Sequence, residues 1–308
     1  MTEGAKRVAV IDVGTNSTRL LVADVADGRV SPLERRSTVT RLGRGVDLSG
    51  HLSAEAIEDV CAAIGEYIDI IGELGAETVD PIATSAVRDA GNGSAFIAEL
   101  RERFALSARV LGGEEEARLT YLGATSEALP TEPTLVVDIG GGSTELIVGS
   151  GREISFHDSL QVGVVRHTER HVNSDPPTAS ELEALAGDVR GSIEGSVGAG
   201  VEARRGIAVA GTPTSLAAVE MELEPYDPSR VHGHLLALPS IQRMLSRLAS
   251  VPLSERVEIP GLHPDRAPTI VAGVVILVET MRAFGLEELE VSEHDILYGT
   301  AIAAAASR

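Results

Sequence analysis

The stretch Val10-Ile11-Asp12-Val13-Gly14-Thr15-Asn16-Ser17-Thr18-Arg19-Leu20-Leu21-Val22 returns 126 positions later. Its second form is Val136-Val137-Asp138-Ile139-Gly140-Gly141-Gly142-Ser143-Thr144-Glu145-Leu146-Ile147-Val148. The two align without a gap, sharing Val, Asp, Gly, Ser, Thr, Leu and Val at matching places. Each is an apolar run rich in β-branched residues, a short turn of small polar residues, and a second apolar run. That pattern predicts a β-hairpin with its functional groups in the turn. A hairpin said twice predicts two similar half-domains facing each other across a cleft, each offering a phosphate-sized loop.

The surrounding sequence alternates strands and helices. Ile57, Val60, Cys61, Ile64, Ile68 and Ile71 recur at helical spacing behind Ser53, and Val79–Ser85 reads as a strand emptying into a polar turn. Helices are expected over about 93–103 and from Gly113 on, with a short strand at Arg109–Leu111. In the second half, Ser180-Glu-Leu-Glu183 reads as a capping box ahead of a long helix. The strand Gly206–Ala210 runs into Gly211-Thr212-Pro213-Thr214-Ser215, and helices are expected near 238–249, 267–284 and 296–306. The fold class is therefore α/β with two lobes. The expected boundaries are 1–124 and 125–295, with a C-terminal helix at about 296–308 packing back on the first lobe.

Composition narrows the function. With 308 residues, 43% of them hydrophobic and no Trp, the cores must be built from Val, Ile, Leu and Ala. One cysteine, Cys61, permits no intramolecular disulfide and falls on an apparent helix face as a small core residue. The start of the chain has no signal-peptide pattern, and the longest apolar run, Ile270–Val278, is too short to span a bilayer. A soluble cytoplasmic protein without membrane contact is expected. The net charge of −20 argues against a broad nucleic-acid or anionic-membrane surface. Yet the loops look made for phosphate, so a divalent cation or a local field must offset the global charge.

The chemistry-bearing residues follow. Gly140, Gly141, Gly142, Ser143 and Thr144 can form an anion nest of successive N–H groups. The matching turn holds Gly14, Thr15, Asn16 and Ser17. Gly211 and Thr212 offer N–H groups at a helix N-terminus, where phosphate is favoured. Asp12 and Asp138 occupy equivalent strand ends, and Asp138 with Glu145 can hold Mg²⁺ by carboxylate oxygens plus water. The first copy has Arg19 where the second has Glu145, which assigns the metal mainly to the second lobe. Arg88, just past a strand end, suits a phosphate oxygen. Glu114-Glu115-Glu116 is what the macrodipole favours in a first helical turn. His232 and His234 bracket Gly233 without zinc-pair spacing and read as a polar turn. Arg166, His167, Arg170 and His171 are either polyanion contacts or a solvated helix face.

Together these motifs resemble the exopolyphosphatase / guanosine pentaphosphate phosphohydrolase (Ppx/GppA) family of the actin–Hsp70–sugar kinase (ASKHA) superfamily. The resemblance is carried by Ile11–Ser17, Arg41-Leu42-Gly43, Ala83–Ala90, Gly113–Leu119, Val137–Glu145 and Gly211–Ala217, six blocks in order over nearly the whole chain. It implies two actin-like (ribonuclease H-like) lobes, and at this length a short member with no added helical domains. In the family the catalytic base lies 22 residues before the hairpin aspartate; counting back from Asp138 selects Glu116, with Glu115 as the fallback. The resemblance also carries over Asp138 and Glu145 as Mg²⁺-associated carboxylates, Asn16, Ser17 and Gly141–Thr144 as phosphate-loop residues, and Arg88 as a phosphate contact. Pro213 removes one N–H from the third loop.

The implied activity is exopolyphosphatase: Mg²⁺-dependent release of orthophosphate from the end of inorganic polyphosphate. The alternative within the family is 5′-phosphohydrolysis of guanosine pentaphosphate, a stringent-response nucleotide. Outside it stand a sugar-type kinase, against which the Glu-Glu-Ala block argues, and a non-catalytic polyphosphate or nucleotide sensor. A homodimer is common in relatives.

Overall fold

The computed structural model describes residues 4–307. In chain order its first elements are β1 (Lys6–Val13), β2 (Ser17–Ala26), β3 (Arg29–Val39), α1 (Val46–Ser49), α2 (Ala54–Leu74) and β4 (Thr78–Ala83). Then come α3 (Ser85–Asp89), α4 (Gly93–Phe104), β5 (Arg109–Val110), α5 (Gly113–Ala124), β6 (Thr134–Ile139), β7 (Thr144–Ser150) and β8 (Glu153–Leu160). Next are α6 (Val164–His171), α7 (Ala179–Ser196), β9 (Arg205–Val209), α8 (Gly211–Glu220), α9 (Pro228–Val231) and β10 (Leu235–Ala237). The chain closes with α10 (Leu238–Ala249), α11 (Leu253–Arg256), α12 (Ile270–Ala283), β11 (Glu288–Val291) and α13 (Ile296–Ala306). Two compact units divide it, Met1–Ala128 with His294–Arg308 and Leu129–Glu293.

Each unit is built on the repeat. In unit 1 the strand order is β3-β2-β1-β4-β5, with β1 antiparallel to β2 and parallel to β4. In unit 2 the order is β10-β11-β9-β6-β7-β8, with β6 antiparallel to β7 and parallel to β9. An antiparallel meander continued by parallel strands is the ribonuclease H-like arrangement of an actin-like lobe. The period-2 logic of a central strand is visible in β1. Ala9, Ile11 and Val13 pack with the Val60, Ile64 and Tyr67 face of α2, whereas Val8 and Val10 face Leu297, Tyr298 and Ala301 of α13.

Helix α13 belongs to unit 1 and meets α5 at the closest possible range. A Cβ on Gly123 would lie 1.9 Å from the Asp295 carbonyl oxygen, and one on Gly299 1.8 Å from that of Leu119. Only glycine permits this backbone approach. Lys6 at the start of β1 donates to the Ala305 carbonyl, tying the two ends of the unit together. In unit 2 the apolar run is the core itself: Ile270 through Met281 of α12 is buried at every position. No helix among the described residues is long and apolar enough to cross a membrane.

Several expectations change. The capping box of α7 is Thr178 with Glu181, two residues before the expected pair, so Ser180 already lies inside the helix. The helix expected from 267 begins at Ile270, because a 3₁₀ turn over Pro264–Arg266 precedes it. Strand β3 had no sequence signature. It is an edge strand, largely exposed and charged, and it carries Pro32 beside a bulge that breaks its pairing with Val22 and Ala23. Cys61 is buried on the core face of α2, and His234 pairs with Glu220 at 2.8 Å.

Candidate active site

In unit 1 the loop between β1 and β2 is closed by Gly14 N–H donating to the Ser17 carbonyl at 3.1 Å. The segment after β3 then clasps it from behind. Thr40 and Arg41 N–H groups both donate to the Asn16 carbonyl (3.2 and 3.0 Å), and Gly43 N–H donates to that of Thr15 at 2.8 Å. Gly43 is required there, since a Cβ would lie 2.2 Å from Thr15 Cγ2. With the carbonyls held inward, three polar atoms stay buried without a hydrogen-bond partner: Asn16 Nδ2, Ser17 Oγ and Asp12 Oδ1. Orphaned buried polar groups are costly and rare, and at a ligand loop they mark what the ligand satisfies.

Asp12 lies opposite Arg19 on the ladder and accepts from it at 2.6 and 2.9 Å, while Arg19 also bridges to Asp295, the N-cap of α13. Burial nevertheless raises the Asp12 carboxyl above its ordinary value, with Arg19 opposing. The three glutamates at the start of α5 separate cleanly. Glu114 is exposed, and Glu115 is nearly half exposed and paired with Arg109 at 2.6 Å. Glu116 is buried, with Arg88 Nη1 at 2.7 Å from its Oε2 and also donating to the Leu111 carbonyl at 2.9 Å. Burial pushes the Glu116 carboxyl up, Arg88 pulls it down, and Asp12 and Asp89 add to the rise.

In unit 2 the second loop repeats the design. Gly140 N–H donates to the Ser143 carbonyl at 3.0 Å. Behind it, the first turn of α6 supplies the clasp: Val164 N–H to Gly140 at 3.0 Å, and Val165 and Arg166 N–H to Gly141 at 2.9 and 3.2 Å. Arg166 Nε adds a bond to the Gly142 carbonyl at 2.8 Å. Ser143 and Thr144 are buried, and Thr144 Oγ1 donates to the Val162 carbonyl at 2.6 Å. Asp138 and Glu145 are directly opposite on the β6–β7 ladder and both buried, with Ser159 donating to Glu145 Oε1 at 2.9 Å. Two buried carboxylates on one face, offering hard oxygen donors, fit Mg²⁺.

The third strand end leads into α8. Ala210, its N-cap, has φ of 72°, and the Arg266 guanidinium lies over Gly211, its central carbon 2.7 Å from where a Cβ would stand. Thr212 is buried, and Pro213 occupies the first turn, where helical N–H groups lack intrahelical partners in any case.

Unit 1 therefore gathers Asp12, Gly14, Thr15, Asn16, Ser17, Arg88 and Glu116, with Glu115 turned aside to Arg109. Unit 2 gathers Asp138, Gly140–Glu145, Gly211 and Thr212. Sequence reasoning missed Arg266. It had Arg166 as a polyanion contact or a solvated residue, whereas Arg166 braces the loop. His167, one residue on, is buried. The signal for both clasps was positional, each lying just after the third strand of its meander.

The Ppx/GppA phosphatase family model matches residues 21–301. Exopolyphosphatase 2 of Mycobacterium tuberculosis is 36% identical over 315 aligned residues, covering 97% of this chain and 98% of that one. Among solved structures, an exopolyphosphatase-like protein superposes with a TM-score of 0.92 at 34% identity, covering 98% of each chain. A Ppx/GppA family member of Aquifex aeolicus gives 0.83 at 32%, covering 97% of each. Motifs, topology and full-length similarity agree: the chain belongs to the Ppx/GppA phosphatase family.

Proposed function

We propose that this chain is an exopolyphosphatase, hydrolysing the terminal phosphoanhydride bond of inorganic polyphosphate with Glu116 as the base. The observation that carries the reading is Glu116 itself, a buried carboxylate held by Arg88 while its neighbour Glu115 is spent on Arg109. Arg88 engages Oε2, and Oε1 is the oxygen we assign to the attacking water. Glu116 takes that water's proton as its oxygen attacks the end phosphorus in line, and the shortened chain leaves.

The loops do the positioning. Their carbonyls are engaged from behind, so N–H groups of Asn16, Ser17 and Gly141–Ser143 are assigned to phosphate oxygens, joined by Asn16 Nδ2 and Ser17 Oγ. Asp138 and Glu145 would hold Mg²⁺, which when bound supplies charge neutralisation to the phosphoryl oxygens. The named exopolyphosphatase relative supports this substrate class.

The test supplies long-chain polyphosphate, guanosine pentaphosphate and ATP separately, with and without Mg²⁺, and follows orthophosphate. Release from polyphosphate, Mg²⁺-dependent, is expected. Release from the pentaphosphate alone would move the assignment to the nucleotide reaction, and tight binding without release would make the chain a sensor. Glu116→Gln should lower turnover by at least about a hundredfold with polyphosphate binding retained. A fully active variant would remove Glu116 from the role.

A further inference from the structure

His167 is a buried imidazole that the chemistry above does not use. It lies on the inner face of α6, one turn behind the glycine loop, with His171 on the next turn and Asp188 of α7 beside both. Its Nε2 is 3.5 Å from Asp188 Oδ2, His171 Nε2 is 2.9 Å from the same oxygen, and the three groups fall within 4.8 Å of one another. His167 Nε2 has no hydrogen-bond partner within ordinary distance.

Two histidines one turn apart with an aspartate would suit a transition metal. The other ring nitrogen argues otherwise. Gly163 N–H donates to His167 Nδ1 at 3.3 Å, so Nδ1 carries the lone pair and the ring proton sits on Nε2, aimed at Asp188. A metal would need that same Nε2 lone pair.

Gly163 is where the loop and α6 touch. It is the N-cap of α6 and, lacking a side chain, provides no side-chain cap. A Cβ on it would lie 2.4 Å from the Gly141 carbonyl oxygen. The helix is capped instead by the glycine loop, whose carbonyls accept its first N–H groups. Among the described residues the Gly163 N–H is received by His167, as a capping box returns a side chain from the first turn to the N-cap N–H.

We propose that His167 is a positioning residue of the phosphate loop: by accepting the Gly163 N–H through Nδ1, it fixes the N-cap of α6 against Gly140–Gly142 and so aims the loop's N–H groups at the anion. Asp188 of α7 faces the protonated Nε2 at 3.5 Å without a hydrogen bond, drawing the ring toward α7 by charge alone, and His171 anchors Asp188. Burial holds the ring down to about 4 against the pull of Asp188, with His171, Arg170 and Arg166 pushing the same way as burial. The imidazole is therefore neutral at pH 7, as an acceptor at Nδ1 must be. The ligand side of this inference rests on the phosphate-loop reading; its structural side does not.

The test exploits two amides. His167→Asn places an amide oxygen near the Nδ1 position, whereas His167→Gln reaches only toward Nε2. Hydrogen exchange of ligand-free protein should show amides of residues 140–166 exchanging about tenfold faster in His167→Gln, with His167→Asn close to wild type. With polyphosphate as substrate, His167→Gln should raise KM about tenfold with kcat within about threefold, and His167→Asn should restore KM. Asp188→Ala, whose side chain is partly exposed, should move both readouts the same way by less, and it decides the matter if His167→Gln does not fold. Equal behaviour of the Asn and Gln variants, or wild-type exchange in Asp188→Ala, would overturn the proposal. So would saturable Zn²⁺ binding that His171→Ala abolishes. If wild type neither binds nor cleaves polyphosphate, the exchange result still stands alone, so failure of the function and failure of this inference are told apart.

Discussion

Glu116, the proposed base, is the residue whose environment would have the most direct kinetic consequence. Its carboxyl titrates above the ordinary glutamate value because burial penalises the charge more than Arg88 relieves it. A base must be ionised, so activity should fall as pH drops through that raised value, placing the acid limb of kcat/KM above about 4.5. Arg88→Ala removes the group that lowers it, and the limb should move to higher pH. The same group affects folding in the opposite sense. A carboxyl raised in the fold favours the native state at low pH, and that contribution is lost as pH rises through the raised value. A pH–rate profile of wild type and Arg88→Ala checks the kinetic claim, and an unshifted limb would sink it. Glu116 was selected from three adjacent glutamates only by family spacing; helix-start chemistry alone favours all three equally. What separates them is long-range, the arrival of Arg88 on one and Arg109 on another.

At the scale of elements, glycines divide into those that let backbones touch and those that do not. Gly163 against Gly141, and Gly123 against Asp295, leave no space for a methyl group, and in both cases the obstacle is backbone that cannot rotate away. Gly187 and Gly191 lie in α7 with nothing within 4 Å of a built Cβ. Gly163→Ala and Gly123→Ala should therefore each destabilise by about 3 kcal/mol or more. Gly187→Ala and Gly191→Ala should each stabilise by about 0.5–1 kcal/mol through helix propensity. Urea unfolding of the four variants orders them, and a destabilising Gly187→Ala would contradict the open space at that position. The hairpins themselves were legible because alternation, β-branching and small turn residues are local signals. The clasps were not, because they are backbone bonds between segments 24 or more residues apart and carry no side-chain signature beyond a glycine. Strand β3 escaped because an exposed edge has no apolar alternation to display.

At the scale of the whole molecule, the proposed site reconciles the charge of −20 with anion loops. Many arginines are neutralised by acids, as in Arg7–Asp24, Arg103 with Glu58 and Glu99, Arg190 with Glu183 and Glu279, and Arg205–Glu290. In the proposed function, attraction for phosphate would come from oriented peptide dipoles and a cation, which are local and cost the molecule little global charge balance. The repeat, the α/β class and the acidic surface were all readable in the sequence. The bond from Arg19 to Asp295, spanning almost the entire chain, was not. Lys6 is the sole lysine among 308 residues, and its amine is occupied by the Ala305 carbonyl. The chain thus has a single side-chain amine, and it sits at the joint between the first strand and the last helix. An acylating reagent would tag one side-chain address, told apart from the α-amino group by peptide mapping, and its rate of reaction there would be a clock for how often the C-terminal helix lifts from β1.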